Sequence, residues 1–459
     1  MTLFGFVADD FTGATDALWQ FRRFGLSGSL VTDVRRLHDR TDVIGLATTA
    51  RAAEDPVAVA LPALEAVAAV GPAVVQYKVC STFDSSPERG SIGAVIAALH
   101  HAGLAEGPVP VLAAQPEFGR YTWYATHFVR YGDDVLRLDR YPPARDHPVT
   151  PATEADLRVR LTEQGAGRVG RLPADATPEQ YLARRGDDAF IADATTDAHL
   201  HALGHLLLST IRPSASEPLP AGRVLWCAGS GGLSQALAWA AAERRAPMGH
   251  GPRPVGQSPA AAGQPPGGAE PLSAPAHPAP VHPAPVRPAA GQPVLGVAVP
   301  VLVVSGSRSP VTARQIAVAA RAGWEVVDVA EGLSAVEERL RAGRHTIVQS
   351  TLGPLRAPEG IGETLGRVAV AAVRGGWTRR VVVAGGDTSG QVVAALGAYA
   401  LDVAGSLAVG GPVCVLSSDD PVVDGLEVAL KGGQVGADDF FLRAAEGSVP
   451  ALGGGRGAG

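Results

Sequence analysis

Leu3 to Ala8 is an apolar run with nothing charged in it, the pattern of a strand buried on both faces of a parallel sheet. From Ala14 the period changes: Ala14, Ala17, Leu18 and Phe21 recur at helical spacing, so the polar residues between the two patterns form a turn from strand to helix. The alternation continues. It predicts strands over Leu26 to Thr32, Val43 to Ala47, Ala73 to Val79 and Val109 to Ala113, and helices over Pro56 to Ala69 and Ile92 to His101. Tyr121 to Leu138 alternates as a hairpin, and a capped helix start is predicted at Thr153. Further strands are predicted over Phe190 to Asp193 and Arg223 to Ala228, the latter turning through Gly229 to Gly232 into a helix over Leu233 to Ala242.

Between about Pro247 and Pro293 this pattern stops. The stretch is rich in Pro, Ala, Gly and His and nearly devoid of large apolar residues, so it cannot bury enough surface to offset ordering. A second α/β pattern follows, with strands predicted over Val299 to Val304, Glu325 to Val329 and His345 to Gln349. Arg380 to Leu396 then runs from an apolar strand through two glycines into a helix. The expected architecture is two α/β domains with mainly parallel sheets and an active site in the cleft between them. Residues 1–246 form the first domain, 247–293 a disordered linker, 294–450 the second domain and 451–459 a flexible tail. A chain of 459 residues is too long for one ordinary core, which agrees with two domains.

A formal charge of -6 offers no electrostatic case for nucleic acid. The chain opens on its first strand without a basic and apolar leader, and no apolar run is long enough to cross a bilayer, so a soluble cytoplasmic protein is expected. Cys80, Cys227 and Cys414 lie far apart, with neither a zinc spacing nor a disulfide framework. The histidines of the linker, His250, His277 and His282, lack acidic or thiol neighbours and read as part of a spacer. The oligomeric state is left open, a homodimer being compatible with the sequence. The chain has no asparagine, and all but two of its 39 basic residues are arginine. Under such a bias the surviving lysines, Lys78 and Lys431, mark positions where a planar guanidinium does not replace a compact ammonium.

Candidate chemistry collects at the predicted strand ends. Asp9, Asp10 and Thr12 follow the first strand, where open α/β sheets bind ligands. Thr12 can cap the helix, and an Asp there could take a proton from a hydroxyl or hold a metal ion; the bland alternative is one capping and one solvated aspartate. Arg51 follows another strand end. Lys78 precedes the loop CSTFDSSPERGSIG, whose Ser81, Thr82 and glycines could cradle an oxyanion. Arg120 is a candidate carboxylate clamp, and His147 a candidate for substrate binding or proton transfer. In the second half, Ser305, Gly306 and Ser307 open the turn SGSRSP. Gly385, Gly386, Asp387 and Thr388 follow a strand and start a helix, where glycines admit phosphate oxygens and Asp387 could position a metal. Lys431, Gly432 and Gly433 place the second lysine on a glycine turn fit for a phosphate contact. Neither a Walker-type loop nor a dinucleotide fingerprint is present.

ADDFTGATD, KVCSTFDSSP-x-x-GSIG, SGSRS, VVAGGDTSG and LKGG, in this order, resemble the four-carbon acid sugar kinase family, over nearly the whole chain except the linker and tail. The resemblance implies an ATP-dependent kinase of tetronate-type sugar acids using Mg2+, with an amino-terminal sugar-acid domain and a carboxyl-terminal nucleotide domain. The KVCSTFDSSP form looks most like the 3-oxo-tetronate kinase branch, with D-threonate or D-erythronate 4-kinase as alternatives. By the same resemblance Asp9, Asp10, Arg51, Lys78, Ser81 and Thr82 fall around the acid, and Ser305, Ser307, Gly385, Gly386, Asp387, Thr388, Gly432 and Gly433 around ATP. Gln434 departs from an expected asparagine, and Tyr124 to His127 replace a stretch that usually carries Gly and Asn. A non-catalytic sugar-acid sensor and a dehydrogenase are the competing classes; the retained acids and lysines argue against the first, the missing fingerprint against the second.

Overall fold

The computed structural model describes residues 2–147, 149–211, 224–245, 296–298, 300–351 and 360–447. The linker and tail expectations fall outside these residues. Among the described residues fifteen strands join in one sheet, and three more form a small second sheet. From one edge the large sheet runs Glu325–Asp328, Thr346–Gln349, Val301–Ser305, Arg380–Ala384 and Glu427–Lys431, then Gly411–Ser418 and Ala398–Ala408. It continues through Gly28–Val31, Val43–Ala47, Phe4–Ala8, Val74–Lys78, Leu225–Gly229, Val109–Leu112, Ala189–Ala192 and Val169–Leu172.

Both wings of this sheet are parallel, and inside the edge strands Glu325–Asp328 and Val169–Leu172 their strands are nearly continuous apolar runs buried on both faces, as such sheets require. The centre is different. Ala398–Ala408 and Gly411–Ser418 form a bulged antiparallel hairpin, and Ala400 and Leu401 pair antiparallel with Val31 and Leu30. The two halves of the chain therefore share backbone hydrogen bonds as well as a cleft. Their packing is shared too: Phe11, on helix Phe11–Arg22, lies against Gly390 of helix Gly386–Ala395, where an added Cβ would stand 3.0 Å from its ring.

Most predicted elements are present within a residue or two of their expected ends. The hairpin over Tyr121 to Leu138 is a three-stranded meander, Arg120–Trp123, Thr126–Tyr131 and Asp134–Arg137. The helix expected from Thr153 starts at Leu157 instead, because Asp156 accepts from the Arg158 amide and takes the cap. No helix of the described residues is long and apolar enough to cross a membrane.

Candidate active site

The carboxyl ends of Phe4–Ala8, Val43–Ala47 and Val74–Lys78 lie level, with Ala8 opposite both Ala47 and Lys78. The residues just beyond them therefore meet. Arg51 donates from its backbone to the Asp9 carbonyl at 3.0 Å, and from its guanidinium to the Asp9 carboxylate oxygens at 3.1 and 2.6 Å. The same guanidinium lies 2.9 and 2.8 Å from the two oxygens of Asp10. One arginine thus spans two carboxylates. Burial pushes Asp9 above the ordinary carboxylate range while Arg51 pulls against it. Burial also opposes the Arg51 charge, but Asp10 and Asp9 outweigh it and hold the guanidinium well above its ordinary range.

Thr12 does not cap the first helix. Asp10 does, accepting from the Gly13 amide at 2.7 Å, because its side chain reaches back over the first turn from an extended backbone. Lys78 is buried and donates to the Val79 carbonyl at 3.1 Å. Gly13 leaves room for both groups: an added Cβ would collide with Asp10 and stand 3.0 Å from the Lys78 ammonium.

The loop after Lys78 is held from behind. The Thr82 hydroxyl donates to Asp84 at 2.8 Å, and the Ser81 carbonyl lies 2.8 Å from His127 Nε2. Burial, and then the nearby Arg120 charge, push His127 down to about 3. The neutral ring donates to Ser81 through Nε2 while Nδ1 accepts from the Thr122 hydroxyl at 2.9 Å. The departure noted at Tyr124 to His127 has a structural consequence. Tyr124 and Ala125 stand at φ 53° and 62°, the left-handed region that glycine and asparagine favour, and the Asp193 carboxylate accepts from both of their amides, at 3.1 and 2.8 Å. Arg120 stacks over the Tyr141 ring at 5.5 Å, and His147 Nδ1 accepts from the Thr150 amide at 3.0 Å.

The other wing repeats the level ends, Ser305 opposite Ala384 and Ala384 opposite Lys431. Gly385 takes φ 126° between strand and helix, so the turn requires glycine. The loops are stitched to one another: Gly385 donates to the Lys431 carbonyl at 3.0 Å, and Thr312 accepts from Ser307 at 3.1 Å and donates to the Gly433 carbonyl at 2.9 Å. Lys431 is turned inward, contrary to a direct phosphate contact. It is fully buried, donates to Thr312 and to the Gly432 carbonyl at 3.0 and 3.1 Å, and burial pushes it down to about 7. It braces the glycine turn from within the core.

The two wings face each other across one cavity of about 790 Å³. Asp10, Thr12, Arg51, Lys78, Ser81, Thr82, Arg120 and His147 line it from the first half, and Gly386, Asp387, Gly432 and Gly433 from the second. An added Cβ at Gly386 would stand 3.4 Å from Asp10 Oδ2, and Thr12 Oγ1 lies 3.3 Å from Ser389 Oγ. Asp9, Ser305, Gly306, Ser307, Gly385, Thr388 and Lys431 do not line the cavity and support the residues that do. Sequence reasoning passed over Asp84 and Arg308, although both lie inside quoted motifs, and Gln115 and Tyr141, which carry no local signal. One wall carries paired charges and hydroxyls; the other is mainly glycine backbone at the amide end of a ten-residue helix, which favours anionic oxygens, with Arg308 and Asp387 beside it.

Two family models match the chain: a sugar-binding N-terminal domain over residues 4–237 and a nucleotide-binding C-terminal domain over residues 302–441. The chain is 32% identical to a 3-oxo-isoapionate kinase of Paraburkholderia graminis, covering 97% of this chain and 95% of that one. It is 33% identical to a 3-oxo-tetronate kinase of Methylobacterium radiotolerans, over 96% of this chain and 98% of that one. A 3-oxo-tetronate kinase of Cupriavidus necator is 34% identical over 96% and 95%. Among solved structures, one from Salmonella typhimurium LT2 matches with a TM-score of 0.67 at 24% identity, over 97% of this chain and 98% of that one. A Haemophilus influenzae structure matches with a TM-score of 0.62 at 21% identity, over 96% and 98%. These two share the fold. Sequence likeness over almost the full length, joined to a cavity built from both matched regions, establishes that the chain belongs to the four-carbon acid sugar kinase family.

Proposed function

We propose that this kinase transfers the terminal phosphoryl group of ATP to the C4 hydroxyl of 3-oxo-tetronate. The observation that carries this reading is the meeting of Asp10 and Gly386: a carboxylate on the sugar-acid side abuts the glycine-lined helix start on the other. A hydroxyl held by the first wall then faces a phosphoryl group held by the second. Positioning and charge neutralisation supply most of the catalysis in such transfers.

Asp10 orients the attacking hydroxyl and accepts its proton. Asp9, out of the cavity and gripped by Arg51, is a positioning residue. Arg51 and Lys78 hold the acid's carboxylate and screen the transferred group, aided by the Ser81 and Thr82 hydroxyls. The phosphates take the amides of Gly386, Gly432 and Gly433. Asp387 lines the cavity on the first turn of its helix, and a carboxylate there fits a hard cation. Mg2+ held by Asp387 would neutralise phosphate charge. The buried Lys431 stiffens the glycine turn.

The relatives support two acids, 3-oxo-tetronate and 3-oxo-isoapionate, and the second is the competing reading because of the 32% identity to the enzyme named for it. A coupled ADP-release assay across both acids, D-threonate and D-erythronate separates them. Highest kcat/KM on 3-oxo-tetronate is expected. Preference for 3-oxo-isoapionate moves the assignment to that acid, preference for a 3-hydroxy acid moves it to a threonate or erythronate kinase, and acid binding without turnover on any of them would mean a sensor.

A further inference from the structure

Away from the cavity, three metal-ligating side chains converge between two helices of the amino-terminal half. His201 and His205, one turn apart on helix Asp197–Ile211, share a face, and Glu243 reaches them from helix Gly231–Arg245. Gly204, between the two histidines, lets the helices approach: a Cβ there would run into the Ala236 carbonyl. The helices run in the same direction, since Gln235 meets Asp197 and Arg244 reaches the Leu208 carbonyl.

His201 Nε2 and His205 Nε2 lie 2.9 and 2.8 Å from Glu243 Oε2, and 2.9 Å from each other. Hydrogen bonds alone do not satisfy this triangle. If both rings carry their proton on Nε2, both protons aim at the carboxylate and the two N–H groups crowd each other. If one ring lacks it, its lone pair can accept from the other ring's N–H, but it then faces a carboxylate lone pair at hydrogen-bond distance with no proton between them. A cation at the centre turns all three contacts favourable. Donor atoms about 2.9 Å apart match neighbouring ligands on a six-coordinate ion with bonds of about 2.1 Å, and two imidazoles with one carboxylate suit a borderline transition cation better than Mg2+ or Ca2+. Trp239 fixes the carboxylate from its far side, Nε1 donating to Glu243 Oε1 at 3.2 Å, and packs 4.5 Å from the His201 ring. The side chains of His201, His205 and Glu243 are only 30, 37 and 28% exposed, which leaves one open side for water ligands.

We propose that His201, His205 and Glu243 bind one divalent transition cation, of the class of Zn2+, Co2+ or Ni2+, which clamps the two helices together. The site is independent of the phosphotransfer reading. The test is titration of chelator-stripped full-length protein with Co2+ in excess Mg2+, followed by calorimetry, visible absorption and thermal melting. The expected result is one equivalent bound, a visible absorption band and a melting temperature raised by several degrees. The His201→Gln/His205→Gln variant should bind at least about 100-fold more weakly with unaltered circular dichroism and turnover. Glu243→Gln alone serves if the double variant does not fold, and should also weaken binding. Equal Co2+ affinity in the variants would assign the ion to other groups, such as the linker histidines, and overturn the proposal. So would wild-type protein that binds no Co2+ at millimolar concentration.

Discussion

The two strand-end clusters that face each other solve the same problem with opposite materials. In the first, Asp9, Arg51, Asp10 and Lys78 are side chains brought together by three level strands, and they must neutralise one another because little water reaches them. In the second, the level strands run into Gly306, Gly385 and Gly432, and the wall is largely backbone, with Arg308 and Asp387 beside it. Each material sets what its wall can recognise. A set of fixed side-chain charges selects a small acid by the placement of its groups, whereas amides at a helix start accept any oxygen of a polyphosphate. Charge clusters are also fragile, since each member is the partner of another.

Four substitutions put this contrast to the test. The largest effect is expected from Asp10→Asn, which keeps the helix cap because asparagine caps as well as aspartate. Turnover should fall by roughly 10²- to 10⁴-fold, the range of lost acid–base participation, with ATP affinity nearly unchanged. Equal loss of both, by ADP release and nucleotide calorimetry, would remove Asp10 from the acid-binding wall. Arg51→Gln should lower stability by about 3–5 kcal/mol, because it strands a buried Asp9 charge. Urea titrations should show that deficit shrinking as pH falls, since a protonated Asp9 carries no charge to strand. On the opposite wall Gly385→Ala acts mainly through backbone: its φ of 126° costs a side chain about 1–3 kcal/mol, and the added Cβ would also stand 3.1 Å from Thr388 Oγ1. Its KM for ATP should rise with little change in KM for the acid; the reverse split would contradict the division of labour.

At neutral pH the smallest effect is expected at His127, whose contribution shows only in acid. The unfolded chain takes a proton on His127 below about 6.5, but the folded ring resists until about 3. The unfolded state therefore binds more protons in that window, and stability is lost as pH falls through it, by at most about 1.4 kcal/mol per pH unit. His127→Gln should flatten that part of an acid-denaturation curve, and it should loosen the Ser81 loop while leaving the glycine wall untouched. An unchanged slope would mean that His127 titrates alike in both states.

Much of this was legible locally. The strands Val43–Ala47 and helices Pro56–Ala69 and Ile92–His101 stand at their expected bounds, because apolar period and proline or serine starts are properties of neighbouring residues. The motif residues Asp10, Arg51, Lys78, Gly386 and Asp387 line one cavity, as strand-end position in an α/β sheet implies. Of the two kinds of cap the sequence allows, Asp10 rather than Thr12 took the position, a choice made by backbone dihedrals that residue type alone does not settle.

Other features depended on partners distant in the chain. That Asp9 withdraws while Asp10 faces the cavity follows from Arg51, 42 and 41 residues away. That Lys431 points into the core follows from Thr312 and the Phe440 ring. The antiparallel hairpin that fuses both halves into one sheet was hidden because its register with Gly28–Val31 joins residues about 370 positions apart. The order of amino acids is enough to say which segments are strand or helix and which chemistry each strand end carries, because those follow from periodicity and side-chain type. Which carboxylate faces the cavity, which lysine reaches it and that two histidines meet a glutamate were settled by the folded arrangement, because burial and charge pairing belong to groups that meet only once the chain has folded.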